Sequence, residues 1–370
     1  MNNTVVETAT EAIAAFDITQ TPLYLVIAAL CAFCISVAFT PVIRVLAFKL
    51  GVTDVPKDGR RMHKKEMPLM GGLAIFIAFL LSTLIFCKLD TRTVGMLLGA
   101  TLIVVTGIID DKYEMRAIVK LLLQIAAAII AVLSGIEMDY VNFFGKIIQF
   151  GSWSGLVTVV WIVALTNAIN LIDGLDGLSC GISTISSFTL LVSLIYTDTP
   201  FTVIVMIGIL AGSCLGFLPF NFNPAKIFMG DTGALFLGYT LSVLSITGYF
   251  KLNAIVTFWV PFLVFAIPLV DTTFAFIRRI LTGRSPFSAD RGHLHHRLID
   301  RGYDQKHAVL ILYAVSGISG FAAVLMSFGS FVGGLVMLCV AIAILVLNML
   351  FASEEVEKKA EQDKEAQEDR

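Results

Sequence analysis

Leu23-Tyr24-Leu25-Val26-Ile27-Ala28-Ala29-Leu30-Cys31-Ala32-Phe33-Cys34-Ile35-Ser36-Val37-Ala38-Phe39 runs without a charge, and the apolar stretch continues to Ala47 with Arg44 as its first charged residue. A run of this length covers roughly 30 Å of hydrocarbon as a helix, so it reads as a transmembrane segment. Working outward, comparable stretches recur at 70–87, 93–109, 117–134, 153–171, 178–196, 200–220, 232–249, 254–277, 307–327 and 330–351. Composition agrees: 57% of residues are hydrophobic and 15% charged, where soluble domains carry about 25% charged residues. The mean hydropathy is +0.87. So much apolar surface has to face lipid, and the expectation is an all-α polytopic membrane protein with about eleven transmembrane helices. The net charge of -2 provides no basic field for nucleic acid, which is excluded as a partner.

Basic residues orient the chain, because cytoplasmic loops collect Lys and Arg. With the N-terminus outside, inward loops hold Lys49, Lys57, Arg60, Arg61, Lys64 and Lys65, then Lys112 and Arg116, then Lys226. The next inward loop holds Arg278, Arg279, Arg284, Arg291, Arg297, Arg301 and Lys306, and Lys358, Lys359, Lys364 and Arg370 follow in the tail. Outward segments have only Lys88, Arg92, Lys146 and Lys251. The reading is N-out and C-in. It divides the chain into a short acidic extracytoplasmic tail (1–22), an integral membrane domain (23–351) and a charged cytoplasmic tail (352–370). Glu7, Glu11 and Asp17 without an early Lys or Arg argue against a cleaved signal peptide. The six cysteines lie in or beside apolar runs and read as packing residues.

Ionisable residues near a bilayer are costly, so their placement is informative. On this topology four clusters fall on the cytoplasmic side: Asp110 and Asp111; Asn170, Asp173 and Asp176; Asn221, Asn223, Lys226 and Asp231; and His293, His295 and His296. Adjacent carboxylates repel unless a cation or a proton relieves them. Hard oxygen donors of this kind suit Mg²⁺, which takes one or two carboxylates together with substrate phosphates and water. Asp231, between Gly230 and Gly233 at a helix start, reads equally as an N-cap or as a metal ligand beside an anion-attracting helix terminus. The histidines are surrounded by Arg284, Arg291, Arg297 and Arg301. A loop so cationic favours a diphosphate over zinc. Lys120 is either a snorkelling lysine or a phosphate contact. Asp271 lines the same polar region without a specific task.

Acids for a metal, bases for phosphate and a membrane around them suit phosphoryl transfer between a soluble nucleotide and a lipid. A secondary transporter is the non-enzyme alternative. It would place its acids near the bilayer midplane on broken helices, with repeat symmetry.

Asp54-Val55-Pro56 with Arg60-Arg61-Met62-His63, Pro68-Leu69-Met70-Gly71-Gly72, Asp110-Asp111, Asn170-Leu171-Ile172-Asp173-Gly174-Leu175-Asp176-Gly177, Met229-Gly230-Asp231-Thr232-Gly233 and His293-Leu294-His295-His296-Arg297 occur in this order. In these stretches the chain resembles the polyprenyl-phosphate N-acetylhexosamine-1-phosphate transferases, in particular the WecA/TagO-like branch. The resemblance implies a bacterial inner-membrane enzyme whose active site lies on cytoplasmic loops. It would move GlcNAc-1-phosphate from UDP-GlcNAc to undecaprenyl phosphate with Mg²⁺, for which Mn²⁺ could substitute. The products would be undecaprenyl-diphosphate-GlcNAc and UMP, at the first membrane step of a cell-surface glycan such as teichoic acid or lipopolysaccharide. Carried over, Asp231 is the principal metal ligand, with Asn170 or Asp173 assisting. Asp110 and Asp111 hold or activate the lipid phosphate, Asp176 belongs to the same site, and Lys120, Asn170 and Asn221 contact substrate. His293, His295, His296 and Arg297 grip the donor. The spacing of these histidines is similar to that of the GlcNAc branch, with phospho-MurNAc-pentapeptide transfer or another UDP-HexNAc donor as the alternative. Direct attack and a covalent aspartyl-phosphate both remain open, and a homodimer is compatible with the family.

Overall fold

The computed structural model describes residues 21–55, 66–143, 146–249, 259–283 and 292–368. The acidic residues of the N-terminal tail, Pro56 to Lys65 with Arg60 and His63, Lys251, Arg284 and Arg291 lie outside the described residues. Thirteen helices follow one another: α1 Pro22–Leu50, α2 Gly72–Phe86, α3 Thr91–Tyr113, α4 Ala117–Leu133, α5 Ser154–Leu171, α6 Leu178–Leu194, α7 Phe201–Asn221, α8 Gly230–Tyr249, α9 Trp259–Val264, α10 Ala266–Leu281, α11 Leu294–Ile299, α12 Gln305–Ser327 and α13 Phe331–Glu368. Among the described residues, six helices are long and apolar enough to cross a membrane. This is an all-α polytopic membrane protein.

Local chemistry sets the helix ends. Thr21 caps α1, its hydroxyl accepting from the Tyr24 N–H at 3.3 Å, and Pro22 occupies the first helical position, where no N–H is needed. Gly51 closes α1 in the left-handed region at φ 64°. Asp90 caps α3, accepting from the Thr93 N–H at 2.8 Å.

The stretch expected to be one helix over 254–277 is broken between α9 and α10. Pro268 explains the break. Its ring opposes the carbonyl of the residue four positions earlier, Val264, which is where α9 ends. Two antiparallel ribbons add to the helical expectation. Thr53–Asp54 (β1) pairs with Met67–Pro68 (β2), and Tyr140–Phe143 (β3) pairs with Lys146–Gln149 (β4).

α8 is the central helix, with fully buried Ala234, Leu235, Phe236, Leu237, Tyr239, Leu241, Val243, Leu244 and Ile246. It packs against α2, α3, α5, α6 and α7. Its start is approached closely from two sides. A Cβ on Gly72 would lie 2.0 Å from the Gly233 Cα, and one on Gly107 would lie 2.4 Å from the Thr232 Cα. Backbone pairing locks the same place. Gly71 and Gly72 N–H donate to the carbonyls of Phe228 and Met229, each at 2.9 Å. These contacts carry the segment before Asp231 onto the ends of α2 and α3. The β3–β4 hairpin joins the opposite ends of α4 and α5, away from Lys120 and Asn170.

Candidate active site

Asp111, in the last turn of α3, caps α8 from outside. One carboxylate oxygen accepts from the Asp231 N–H at 2.7 Å, and the other accepts from the Thr232 N–H at 3.2 Å and its hydroxyl at 2.6 Å. The open N–H groups of a helix terminus favour an anion there, which is how a carboxylate from another helix comes to hold them. Asp231 is therefore not the N-cap of its own helix. Its side chain is free to face the site.

Two residues hold that side chain. Asn170, at the end of α5, donates its amide to one oxygen at 2.5 Å. The Lys120 ammonium, from the first turn of α4, lies 2.5 Å from the other oxygen and 2.6 Å from an oxygen of Asp110. The second Asp110 oxygen accepts from the Met115 N–H at 2.7 Å. Asp110, Asp111, Lys120, Asn170 and Asp231 thus meet at one end of the bundle.

Asp173 lies in the turn between α5 and α6. Its carboxylate has no hydrogen-bond or ion-pair partner among the described residues. Burial, and then the charges of Asp231, Asp111 and Asp176, push its carboxyl well above the ordinary carboxylate range. Such a group takes a proton or calls for a cation. Among the described residues no three acidic, His or Cys side chains form a metal cage by themselves. Mg²⁺ needs no such cage, because it keeps water and substrate phosphate among its ligands. An unpartnered carboxylate beside Asp231 fits that ion.

Asp176 and Asn221 do something different. Asp176 accepts from the Asn223 amide and the Ala225 N–H, both at 3.0 Å, so it ties the α7–α8 connection to the α5–α6 turn. Asn223 also donates to Gln305 at 2.9 Å, bringing in α12. Asn221 is buried and donates to the Ile227 carbonyl at 3.1 Å within the same connection.

The histidine segment reaches the acids through Gly174. A Cβ there would lie 2.3 Å from His295 Nε2, so the buried His295 ring packs directly on the turn between Asp173 and Asp176. Burial, and then the neighbouring His296, push His295 down to about 3, which leaves the ring neutral. Its Nε2 has no hydrogen-bond partner among the described residues. The His293 ring stacks parallel to it with centroids 5.8 Å apart, and the His296 ring centroid lies 4.3 Å from it. Arg297 is exposed at the end of α11.

Asp271 on α10 orients this segment. It accepts from the Leu294 N–H at 2.7 Å, and its other oxygen lies 2.9 Å from His293 Nδ1, with both side chains buried. Asp271, Thr232 and Asn223 were the residues whose tasks sequence reasoning missed. Asp271 carried a signal as an acid inside an apolar helix, and Asn223 as a member of the cluster with Asn221, Lys226 and Asp231.

The glycosyl transferase family 4 model matches residues 93–249, which contain the Asp110–Asp111 pair, Lys120, the Asn170–Asp176 turn and Asp231. A probable undecaprenyl-phosphate N-acetylglucosaminyl 1-phosphate transferase of Bacillus subtilis is 43% identical over 291 residues, covering 78% of this chain and 80% of that protein. The chain belongs to glycosyl transferase family 4, on its WecA/TagO-like branch. Other relatives in the family include a decaprenyl-phosphate N-acetylglucosaminephosphotransferase of Mycolicibacterium smegmatis, 35% identical over 76% of this chain and 77% of that protein. An undecaprenyl-phosphate alpha-N-acetylglucosaminyl 1-phosphate transferase of Escherichia coli is 27% identical over 80% of this chain and 82% of that protein. This family member is accordingly an enzyme that transfers a sugar phosphate.

Proposed function

We propose that the enzyme transfers GlcNAc-1-phosphate from UDP-GlcNAc to undecaprenyl phosphate in a Mg²⁺-dependent reaction, releasing UMP. The observation that carries this reading is the meeting of Asp173, Asp231 and Lys120 at one end of the bundle, with the histidine segment packed on Gly174 beside them. Asp173 and Asp231 would hold the ion, which when bound neutralises charge on the donor diphosphate. Lys120 supplies a cation for phosphate oxygens, and the buried, neutral ring of His295 fixes the histidine segment on the turn at Gly174.

The lipid phosphate attacks the β-phosphorus of the donor. A new P–O bond forms while the bond from that phosphorus to the bridging oxygen breaks, and the electron pair leaves with UMP. A phosphate monoester has a second pKa of about 6, so the lipid phosphate is largely dianionic at pH 7. No proton has to move. Direct attack therefore needs positioned cations more than a base, which suits an Asp111 already committed to three donors.

We extend the reading to the membrane. Eleven spans result if α9 and α10 cross together, with the N-terminus outside and the C-terminus inside. The acid and histidine clusters then face the cytoplasm at the bacterial inner membrane. The single basic residue Lys226 in the α7–α8 connection and the group Arg278, Arg279, Arg297, Arg301 and Lys306 support that orientation.

The test is UMP release by purified protein in detergent with undecaprenyl phosphate, Mg²⁺ and either UDP-GlcNAc or UDP-MurNAc-pentapeptide, with Asp231→Ala as control. UMP from UDP-GlcNAc alone, lost in the variant, is the expected result. Release from the pentapeptide donor would move the enzyme to peptidoglycan precursor synthesis. Release from neither by folded protein would overturn the reading.

A further inference from the structure

One helical turn beneath the site, two amides meet between α4 and α5. Asn167 donates to Gln124 Oε1 at 2.5 Å, and Gln124 Nε2 faces Asn167 Oδ1 at 3.5 Å. Asn167 uses its other amide hydrogen on the Val163 carbonyl at 2.8 Å. Gln124 is 1% exposed, deep in an apolar bundle. An amide there is costly unless paired, so the pair has to be made, and made in one register.

Its position gives it a consequence. Gln124 lies four residues after Lys120 on α4, and Asn167 lies three residues before Asn170 on α5. Both spacings put the paired residue on the same helix face as the site residue. Lys120 and Asn170 are the two side chains that hold Asp231. The remaining buried residues of α4 are Ala127, Ala128 and Ala131. Alanine methyls allow close approach but offer no directional contact to fix rotation or sliding.

We infer that the Gln124–Asn167 pair is the positioning element that sets α4 against α5, so that Lys120 and Asn170 reach the two oxygens of Asp231 together. The pair touches no substrate. It acts through Lys120 and Asn170, and it concerns sugar-phosphate transfer whatever the donor is.

Two measurements test this on the full-length enzyme in detergent. Gln124→Leu and Asn167→Leu should each lower kcat by about 10- to 100-fold, as loss of supporting partners around an active site does, with KM nearly unchanged. The double variant should be no worse than the more impaired single one, because one interaction is lost in each. The swap Gln124→Asn with Asn167→Gln keeps an amide on each helix and should recover most of the activity. The second readout needs no donor. Reductive methylation of Lys120, followed by peptide mass spectrometry, should be slow in the parent protein and several-fold faster in Gln124→Leu. The rates of the exposed Lys88 and Lys146 should stay unchanged. If the parent protein turns over no UDP-GlcNAc, the donor assignment fails while the Lys120 readout still tests the pair. Folded Gln124→Leu protein with parental kcat, or with parental Lys120 reactivity, would overturn the inference. Additive losses in the double variant would do the same.

Discussion

Substitution of Asp111 separates a structural role for this carboxylate from a chemical one. It accepts from the Asp231 N–H, the Thr232 N–H and the Thr232 hydroxyl, at 2.7, 3.2 and 2.6 Å. Asp111→Ala leaves all three donors without their acceptor at the start of the most buried helix. Loss of a helix cap costs about 1 to 2 kcal/mol, and hydrogen bonds to a charged group are worth about 1.5 to 3 kcal/mol each. With partial rehydration, a local loss of roughly 2 to 4 kcal/mol at the start of α8 is expected. Asp231 is the first residue to feel it, and a displacement of about 1 Å at reacting groups costs on the order of 100-fold in rate. Asp111→Asn behaves differently. Its amide oxygen can still accept from the Asp231 N–H, and its NH₂ can donate to the Thr232 hydroxyl once that hydroxyl rotates, so only the long 3.2 Å bond from the Thr232 N–H is lost. UMP release by Asp111→Asn should stay within about tenfold of the parent from pH 6 to 8, with Asp111→Ala about 100-fold or more below it. A nucleophile or essential base predicts equal loss in both. An Asp111→Asn protein as inactive as Asp111→Ala, with a parental melting temperature, would refute the capping argument and restore chemistry to this carboxylate.

Other outcomes follow from the same geometry. Lys120→Ala leaves Asp110 and Asp231 facing each other without their shared cation, and kcat should fall by about 100- to 1,000-fold, the usual cost of one charge-stabilising donor; steady-state kinetics of the purified variant reads this directly. Gly174→Ala puts a methyl where His295 Nε2 sits, 2.3 Å away, so KM for the donor should rise by about tenfold with a smaller change in kcat. Removal of divalent cations with EDTA should abolish turnover, and titration with Mg²⁺, then Mn²⁺, should restore it; chelator-insensitive turnover would exclude the proposed ion. His295 titrates at about 3 when folded and near 6.5 when unfolded, so the unfolded state takes up its proton first. Its contribution is intact above about pH 6.5 and is lost at about 1.4 kcal/mol per unit as pH falls towards 3. The melting temperature of the parent should therefore drop more steeply below pH 6 than that of His295→Leu, and parallel curves would refute the assignment.

Much of the architecture could be read from the sequence because transmembrane patterning is local: length and composition suffice. Each of the eleven apolar stretches contains a helix, and Gly329, at φ 84°, separates the last two as expected. The break at Phe265 was written in Pro268 but masked by the apolar run around it. The β3–β4 hairpin had its own signal in Tyr140-Val141-Asn142-Phe143 and Lys146-Ile147-Ile148-Gln149, too short to compete with the helical pattern on either side. Site residue types were legible because ionisable groups near a bilayer are rare. Their pairings were not. That Asp111 holds the start of α8, and that Lys120 reaches across to Asp231, depends on the close approach at Gly72 and Gly107. That approach is a property of three packed helices and leaves no trace in the spacing along any one of them.

The charge balance at the site explains why so many acids serve a reaction between two anions. Asp110, Asp111, Asp173 and Asp231 outnumber Lys120, and in the proposed reaction both the lipid phosphate and the donor diphosphate add further negative charge. At 4 Å and an effective dielectric of 20, each like-charge pair costs about 4 kcal/mol. Asp111 is compensated by helix N–H groups, Asp110 by Lys120 and the Met115 N–H, and Asp231 by Lys120 and Asn170. Asp173 alone lacks a compensating contact among the described residues, and burial, then the charges of Asp231, Asp111 and Asp176, raise its carboxyl well above the ordinary range. A dication placed there would relieve the deficit and draw the diphosphate to the acids that otherwise repel it. Under the proposed function, binding of ion and donor would then be mutually reinforcing, each relieving the repulsion that the other meets at these acids.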